Sequence, residues 1–376
     1  MSRELVYLDH NATSLLRPEA REAMLAAMDA GGNPSSTHAA GRAARSTIED
    51  AREAIAGRSG ACAEDLIFTS GGTEAINLAL ASAISAGAGR LIVSAIEHDA
   101  VIDFAKASGV ETQFVPVTPQ GVLDLDALKD LLGEDGSDAL VAVMLVNNET
   151  GVIQPVAEAA ELAHEAGARI HVDAVQALGK IEMSMTELGA DYLSLTAHKL
   201  GGPQGAGALA IGEGAPLVRR QHGGGQERGR RSGTENVAAI AGFGAAAAAA
   251  EPADYAKLAG IRDAMEARLK AAAPEIVILG EDVARAPNTL CFYAPGFSSE
   301  TQVMSMDLAG FAISAGAACS SGKVARSHVL SAMGLGDELA ASAIRVSLGW
   351  NTEAGQGEAF ADAWLDAYDR VKTRAA

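Results

Sequence analysis

The sequence predicts an α/β protein: a large domain on a mostly parallel, seven-stranded sheet flanked by helices, with a smaller α+β domain attached. Three observations carry that expectation. Short apolar runs alternate with helical stretches over roughly 200 residues, the pattern of strands joined by crossover helices. The 376 residues exceed the usual size of one hydrophobic core. The alanine-rich helical run that ends at Ala250 breaks at Glu251-Pro252, beyond which the pattern changes. The resulting boundaries are 15–252 for the large domain, and 1–14 with 253–376 for the smaller one.

Taken in order, Pro18 to Ala30 and Ala39 to Ala56 read as helices, the first with proline in its opening turn. Seven apolar strands follow: 66–68, 91–93, 112–115, 140–146, 169–172, 192–195 and 206–211. Helical stretches at Thr73 to Ala86, Asp124 to Leu132 and Pro155 to Ala166 separate most of them. Continuous apolar strands between helices indicate a sheet covered on both faces. Asn236 to Ala250 and Tyr255 to Ala273 read as helices. Strands at 276–278, 289–293, 312–314 and 344–347 then build the smaller domain, and a helix over about 353–370 closes it.

Composition excludes several classes. Charged residues are 20% and hydrophobic ones 48%, too apolar for a disordered chain. A net charge of −19 repels nucleic acid and anionic membranes. The basic run Arg219, Arg220, Arg228, Arg230, Arg231 is interleaved with Gly223-Gly224-Gly225 and reads as a local phosphate or subunit contact. Three widely spaced cysteines (62, 291, 319) form no CxxC pair, which argues against disulfides and structural zinc and fits a reducing compartment. No metal site is expected. The amino terminus carries no apolar signal core and no apolar run approaches the ~20 residues of a membrane span. The expectation is a soluble, cytoplasmic protein with no nucleic-acid or membrane partner.

Chemistry concentrates at strand ends. The strand through Val172 delivers Asp173, and the strand from Tyr192 to Thr196 delivers Lys199 beside His198. A lysine that binds pyridoxal phosphate (PLP) covalently needs this company: a carboxylate for the pyridine nitrogen and donors for the phosphate. Alone, Lys199 also fits a solvated loop lysine and Asp173 a helix cap. Phe68-Thr69-Ser70-Gly71-Gly72-Thr73-Glu74 reads as strand, glycine turn and helix start, an anion seat to which Thr73 adds a hydroxyl; an ordinary capped turn has the same form. Glu97-His98 and Asn147-Asn148-Glu149 close two further strands, where ligand sites collect in open α/β sheets and where caps and turns also occur. Cys319 lies among small residues, in Ala315-Gly316-Ala317-Ala318-Cys319-Ser320-Ser321-Gly322, a setting suited to an accessible thiolate. Cys62 and Cys291 read as inert. Arg345 is a cation in mid-strand, placed for carboxylate pairing or for a structural ion pair.

These segments, in this order and over nearly the whole chain, resemble the cysteine desulfurases of the NifS/IscS type, within the PLP fold-type I, class V aminotransferase group. The resemblance includes Tyr7-Leu8-Asp9, Asn11-Ala12-Thr13, Gly32 to His38, the turn at 71–74, the loop at 223–236 and Ile344 to Gly349. It implies Lys199 as the Schiff-base lysine and proton carrier, with Asp173 on the pyridinium nitrogen and Gln176 on the ring hydroxyl. His98 would stack on the ring and assist proton transfer. Gly72, Thr73, Thr196 and His198 would hold the phosphate, joined in a homodimer by the partner subunit's Thr234. Asn148, which would also contact the cofactor, and Arg345 would bind the carboxylate of L-cysteine. Cys319 would take the substrate sulfur as a persulfide and pass it to an acceptor or iron–sulfur scaffold protein. Departures include Thr196 where serine is common, Gly72 for alanine, His10 for asparagine or tyrosine, and Trp350 for arginine near the expected carboxylate site.

The nearest rivals are a selenocysteine lyase or another class V PLP enzyme; a transaminase has no use for a mobile thiol at Cys319. A non-catalytic partner in a sulfur-transfer assembly would not need Lys199, Asp173, His98 and Cys319 together. Gly202-Pro203-Gln204-Gly205-Ala206-Gly207 lacks the strand–turn–helix setting of a nicotinamide site.

Overall fold

The computed structural model describes residues 5–316 and 327–375. From the amino terminus run β1 (Val6–Tyr7), α1 (Pro18–Ala30), α2 (Ala39–Ser59), β2 (Leu66–Thr69) and α3 (Gly72–Ser85). Next come β3 (Arg90–Ser94), α4 (Asp99–Ala107), β4 (Glu111–Val115), α5 (Leu125–Leu132) and β5 (Ala139–Met144). Then follow α6 (Val156–Glu165), β6 (Arg169–Asp173), β7 (Tyr192–Thr196), β8 (Gly207–Ile211) and α7 (Val237–Ala249).

Among the described residues, β2 to β8 form one seven-stranded sheet in the order β2-β8-β7-β6-β5-β3-β4. The neighbours β4, β3, β5, β6 and β7 are parallel. β8 is antiparallel to both β7 and β2. Two reversals cancel, so β2 points the same way as the parallel strands and its carboxyl end joins theirs at one edge. That edge is where ligands bind in open α/β sheets.

Alternate side chains of each strand feed opposite faces. Leu91, Val93, Leu140 and Ala142 pack with Ile76 and Leu80 of α3 and Val101 of α4. Ile92, Val141 and Val143 belong to the other face, with Ile48 and Ile55 of α2, Leu128 of α5, Val156 of α6 and Phe243 of α7. Burial on both faces is why these strands read as unbroken apolar runs. Small residues let α2 and α7 touch closely: a Cβ on Gly244 would lie 2.5 Å from Ala51 Cα.

After α8 (Pro252–Ala256) and α9 (Leu258–Ala272) come β9 (Val277–Ile278), β10 (Thr289–Tyr293), α10 (Ser299–Ala309), β11 (Phe311–Ala312) and β12 (Ser314–Ala315). The chain ends with α11 (His328–Ala332), α12 (Asp337–Ala340), β13 (Ala343–Ser347) and α13 (Ala354–Ala375). A second apolar core forms here around buried Trp364, whose ring lies 5.1 Å from Phe292 and whose Nε1 donates to Gln302 Oε1 at 2.9 Å. The sheet of this region is antiparallel, ordered β12-β13-β10-β9.

Three expectations change in detail. The helix expected over 255–273 begins as a separate turn at Pro252 and restarts at Leu258. The strand expected at 312–314 is two: Phe311–Ala312 pairs parallel with β1, and Ser314–Ala315 pairs with β13. Helix α10 is absent from the sequence reading. Its outward Met304 and Leu308 blur the apolar stripe, although Ser298 caps it through Thr301 N–H. Among the described residues no helix is long and apolar enough to cross a membrane.

Candidate active site

A cavity of about 230 Å³ opens at the carboxyl edge of the large sheet. Gly72, Thr73, His98, Asn148, Asp173, Gln176, Thr196, His198, Lys199 and Arg345 all line it. They come from the ends of β2, β3, β5, β6 and β7 and from mid-β13, so one sheet edge and one strand of the second core meet there. Thr234 does not line it; that residue is exposed on the surface of its own chain. Cys319 lies outside the described residues.

One end of the cavity collects donors. Gly72, Thr73, Thr196 and His198 also line an adjoining opening with Ser70 and Gly71, whereas Asp173, Gln176, Asn148 and Arg345 do not. The first N–H groups of α3 have no intrahelical acceptor, and the helix dipole favours an anion there. Thr196 Oγ1 donates to Ala206 O at 3.2 Å, and His198 Nδ1 lies 3.2 Å from Thr13 Oγ1. Burial, then the charges of Lys199 and Lys180, pull His198 down to about 4, so near pH 7 its ring is neutral.

Asp173 closes β6, and its Oδ1 accepts from Val175 N–H at 2.9 Å. Burial pushes its carboxyl up, opposed by that hydrogen bond and by His98 and Lys199. Behind it Glu97 is fully buried and accepts from Met144 N–H through Oε1, while Oε2 meets no partner among the described residues. Burial and the nearby Asp173 drive Glu97 well above the carboxylate range. His98 caps α4: its Nδ1 accepts from Ala100 N–H at 3.0 Å, which assigns the ring proton of the neutral form to Nε2.

Lys199 Nζ donates to Asn11 O at 2.6 Å and Ala12 O at 2.7 Å, carbonyls of the amino-terminal segment. Gln176 Nε2 donates to the same Asn11 O at 2.9 Å. No local pattern in the sequence marks the Asn11 carbonyl, 188 residues from its donor, as part of the site. At the far end Arg345 Nη2 pairs with Asp9 Oδ1 at 2.8 Å and Nη1 donates to Asn148 O at 2.9 Å. Its buried Nε has no partner among the described residues. Asn147 makes the turn, accepting from Glu149 and Thr150 N–H at 2.9 and 3.0 Å, and so leaves Asn148 to face the cavity.

Trp350 is not a cavity residue: its Nε1 donates to Leu15 O at 2.9 Å and the Arg17 guanidinium lies 5.4 Å above its ring. The loop at 223–236 is anchored to the large domain. Glu227 is buried, takes both Arg52 nitrogens at 2.8 and 3.0 Å and accepts from Phe68 N–H at 3.0 Å. That clamp holds Glu227 and Arg228 at φ of 47° and 57°, unfavourable for residues with a Cβ.

Residues 6–360 match the family model described as aminotransferase class-V. The chain belongs to that family. It is 43% identical over 360 residues to a cysteine desulfurase of Cereibacter sphaeroides, covering 93% of this chain and 92% of that protein. Among solved structures it resembles a NifS-like protein from Rickettsia africae, with TM-score 0.89, 35% identity, and 97% and 100% of the two chains covered. It also resembles SspA solved in complex with cysteine, with TM-score 0.79, 28% identity, and 91% and 98% covered. The large sheet and its flanking helices are those of the NifS-like, PLP fold-type I proteins.

Proposed function

We propose that this chain is a PLP-dependent L-cysteine desulfurase, working in the cytoplasm as a homodimer that hands sulfur to an acceptor or iron–sulfur scaffold protein. The observation that carries the reading is one cavity holding a lysine amine, a buried carboxylate, an anion seat and an arginine. Relatives named cysteine desulfurase and a similar structure holding cysteine support it.

The residues fit PLP by the chemistry of their donors. The helix start at Gly72 and Thr73, with Thr196 and His198, suits the phosphate. Asp173, whose burial raises its affinity for a proton, suits the pyridine nitrogen. Gln176 offers an N–H to the ring oxygen, and Lys199 an amine to the aldehyde. When bound, PLP supplies the electron sink that lets the substrate's Cβ–S bond break.

The protein's own residues do the rest. Arg345, with Asn148, binds the substrate carboxylate, exchanging its contact with Asp9 for the ligand. Lys199 Nζ removes the Cα proton, its approach set by the Asn11 and Ala12 carbonyls, and His98 Nε2 assists that proton's passage. Cys319 Sγ takes the sulfur: an S–S bond forms on the enzyme as the C–S bond breaks, protons pass to carbon, and alanine leaves. Exposed Leu15, Leu16, Leu25 and Met28 offer the homodimer an apolar face, and the opening at Ser70 and Gly71 offers room for the partner subunit's Thr234. Two apolar cores, with Leu8 in the second and Ala20 in the first, support the domains 15–252 and 1–14 with 253–376.

The test is sulfide and alanine release from L-cysteine plus dithiothreitol by PLP-loaded wild type and Cys319→Ser. Equal amounts of both products from wild type, with sulfide lost in the variant, are expected. Unchanged sulfide from Cys319→Ser overturns the role of that thiol.

A further inference from the structure

Behind the cavity wall sits a lysine that the proposed reaction does not use. Lys180 is 1% exposed, and its Nζ donates to Gln176 Oε1 at 2.7 Å and Asn11 Oδ1 at 3.2 Å. Among the described residues it makes no ion pair, and the charged groups that act on it, Lys199 and Arg345, are both cations. His10 beside it is neutral, since burial and the Lys180 charge pull its ring down to about 3. Burial, with Lys199 and Arg345, pulls the Lys180 ammonium well below its ordinary value. An amine buried without a counter-ion is costly, and here two amide oxygens are what receive it.

Those two amides lead straight to the site. A lysine amine in its charged form only donates and a backbone carbonyl only accepts. Lys180 therefore fixes the oxygen of the Gln176 amide, and the 2.9 Å bond to Asn11 O fixes its nitrogen. One N–H of Gln176, which lines the cavity, is left for a ligand. Asn11 is locked in the same way: Oδ1 also accepts from Asn288 Nδ2 at 3.1 Å, and Nδ2 donates to Thr289 Oγ1 at 2.9 Å. The backbone oxygen of Asn11 in turn receives Lys199.

We propose that Lys180 is a positioning residue for the cofactor: it locks the Gln176 amide so that an N–H, and not a second oxygen, meets the ring oxygen of bound PLP. This rests on the PLP reading above. An N–H at that place stabilises the anionic ring oxygen and lowers the pH at which the bound chromophore loses its proton; an amide oxygen there repels the same charge. Without Lys180, only the bond to Asn11 O is left to oppose a turn of the Gln176 amide.

The experiment is a pH titration of the visible absorbance band of the full PLP-loaded chain in wild type, Lys180→Met, Gln176→Met and the double variant. Each single change is expected to raise the midpoint by about one pH unit, a tenfold change worth about 1.4 kcal/mol. The double variant should match Gln176→Met alone. An undiminished Lys180→Met shift in the Gln176→Met background means that Lys180 acts by its own charge, and overturns the proposal. So does an unmoved midpoint in Lys180→Met. Where Lys180→Met yields no folded protein, Lys180→Gln carries the same comparison, and its shift too must vanish without Gln176. A wild type that takes up PLP with no visible band overturns the cofactor reading instead.

Discussion

Glu149 follows the cavity residue Asn148 and is buried, with its Oε2 accepting from Ser327 Oγ at 2.6 Å. Burial pushes its carboxyl from 4.5 up to about 7; the nearby Asp99 pushes the same way, while Ser327 and Arg345 oppose. Between those two values the folded protein holds a proton that the unfolded chain has shed. Stability therefore falls as pH rises through the interval, and levels off above pH 7. From pH 5 to pH 8 the loss integrates to about 2.5 kcal/mol. Glu149→Gln removes the titration and keeps an oxygen for Ser327. At this chain length the melting entropy is about 0.8 kcal/mol per degree, so that difference is about 3 °C. Thermal melts of both proteins at pH 5 and pH 8 are the assay. The variant's melting temperature relative to wild type should be about 3 °C more favourable at pH 8. A difference that does not change with pH refutes the reasoning, because the carboxyl would then not be paying for its burial.

A Cβ at Gly72 would fall 2.9 Å from Val175 Cγ2, a stiff β-branched side chain on the cavity wall. Gly72→Ala should weaken PLP retention about tenfold, on the order of 1.4 kcal/mol, and Val175→Ala should restore it in equilibrium dialysis. Arg345→Lys keeps the charge but loses the paired geometry, so steady-state kinetics should show KM for L-cysteine up by about 10- to 100-fold with kcat changed less. Cys291 is fully buried and its thiol is pushed up to about 12 by burial, with Glu149 adding to the shift. Iodoacetamide at pH 8 should modify exposed Cys62 in the native protein and spare Cys291, as peptide mapping would show.

The sheet was legible because both faces of its inner strands are covered: β2, β3 and β5 to β8 are buried, mostly apolar runs closed by polar or small residues, whereas the edge strand β4 is largely polar. The strand-end residues Asp173, Thr196, His98 and Asn148 could be picked out for the same reason, since the parallel topology gathers carboxyl ends. What stayed hidden depends on contacts between distant segments. Nothing local marks Lys180 as buried against Asn11, 169 residues away, or Glu227 as the partner of Arg52 at 175. The contact of Trp350 with Arg17 is hidden for the same reason, since the two lie at opposite ends of the chain. Thr234 does not line the cavity of its own chain, which no local pattern around it announces.

The amino-terminal segment has a consequence for how the protein is made. Among its partners are β11, Ser347 and Arg345, the last of them 336 residues downstream of Asp9. At roughly 5–20 residues per second, the first strand waits roughly 20–70 s on the ribosome before those partners emerge. Until then Asp9 lacks Arg345, and Val6 and Leu8 lack the strand and backbone partners that cover them. The large sheet is complete by Ile211, well before that moment. A nascent chain can thus own a finished large sheet while the Asp9–Arg345 pair at the far end of the cavity has still to form.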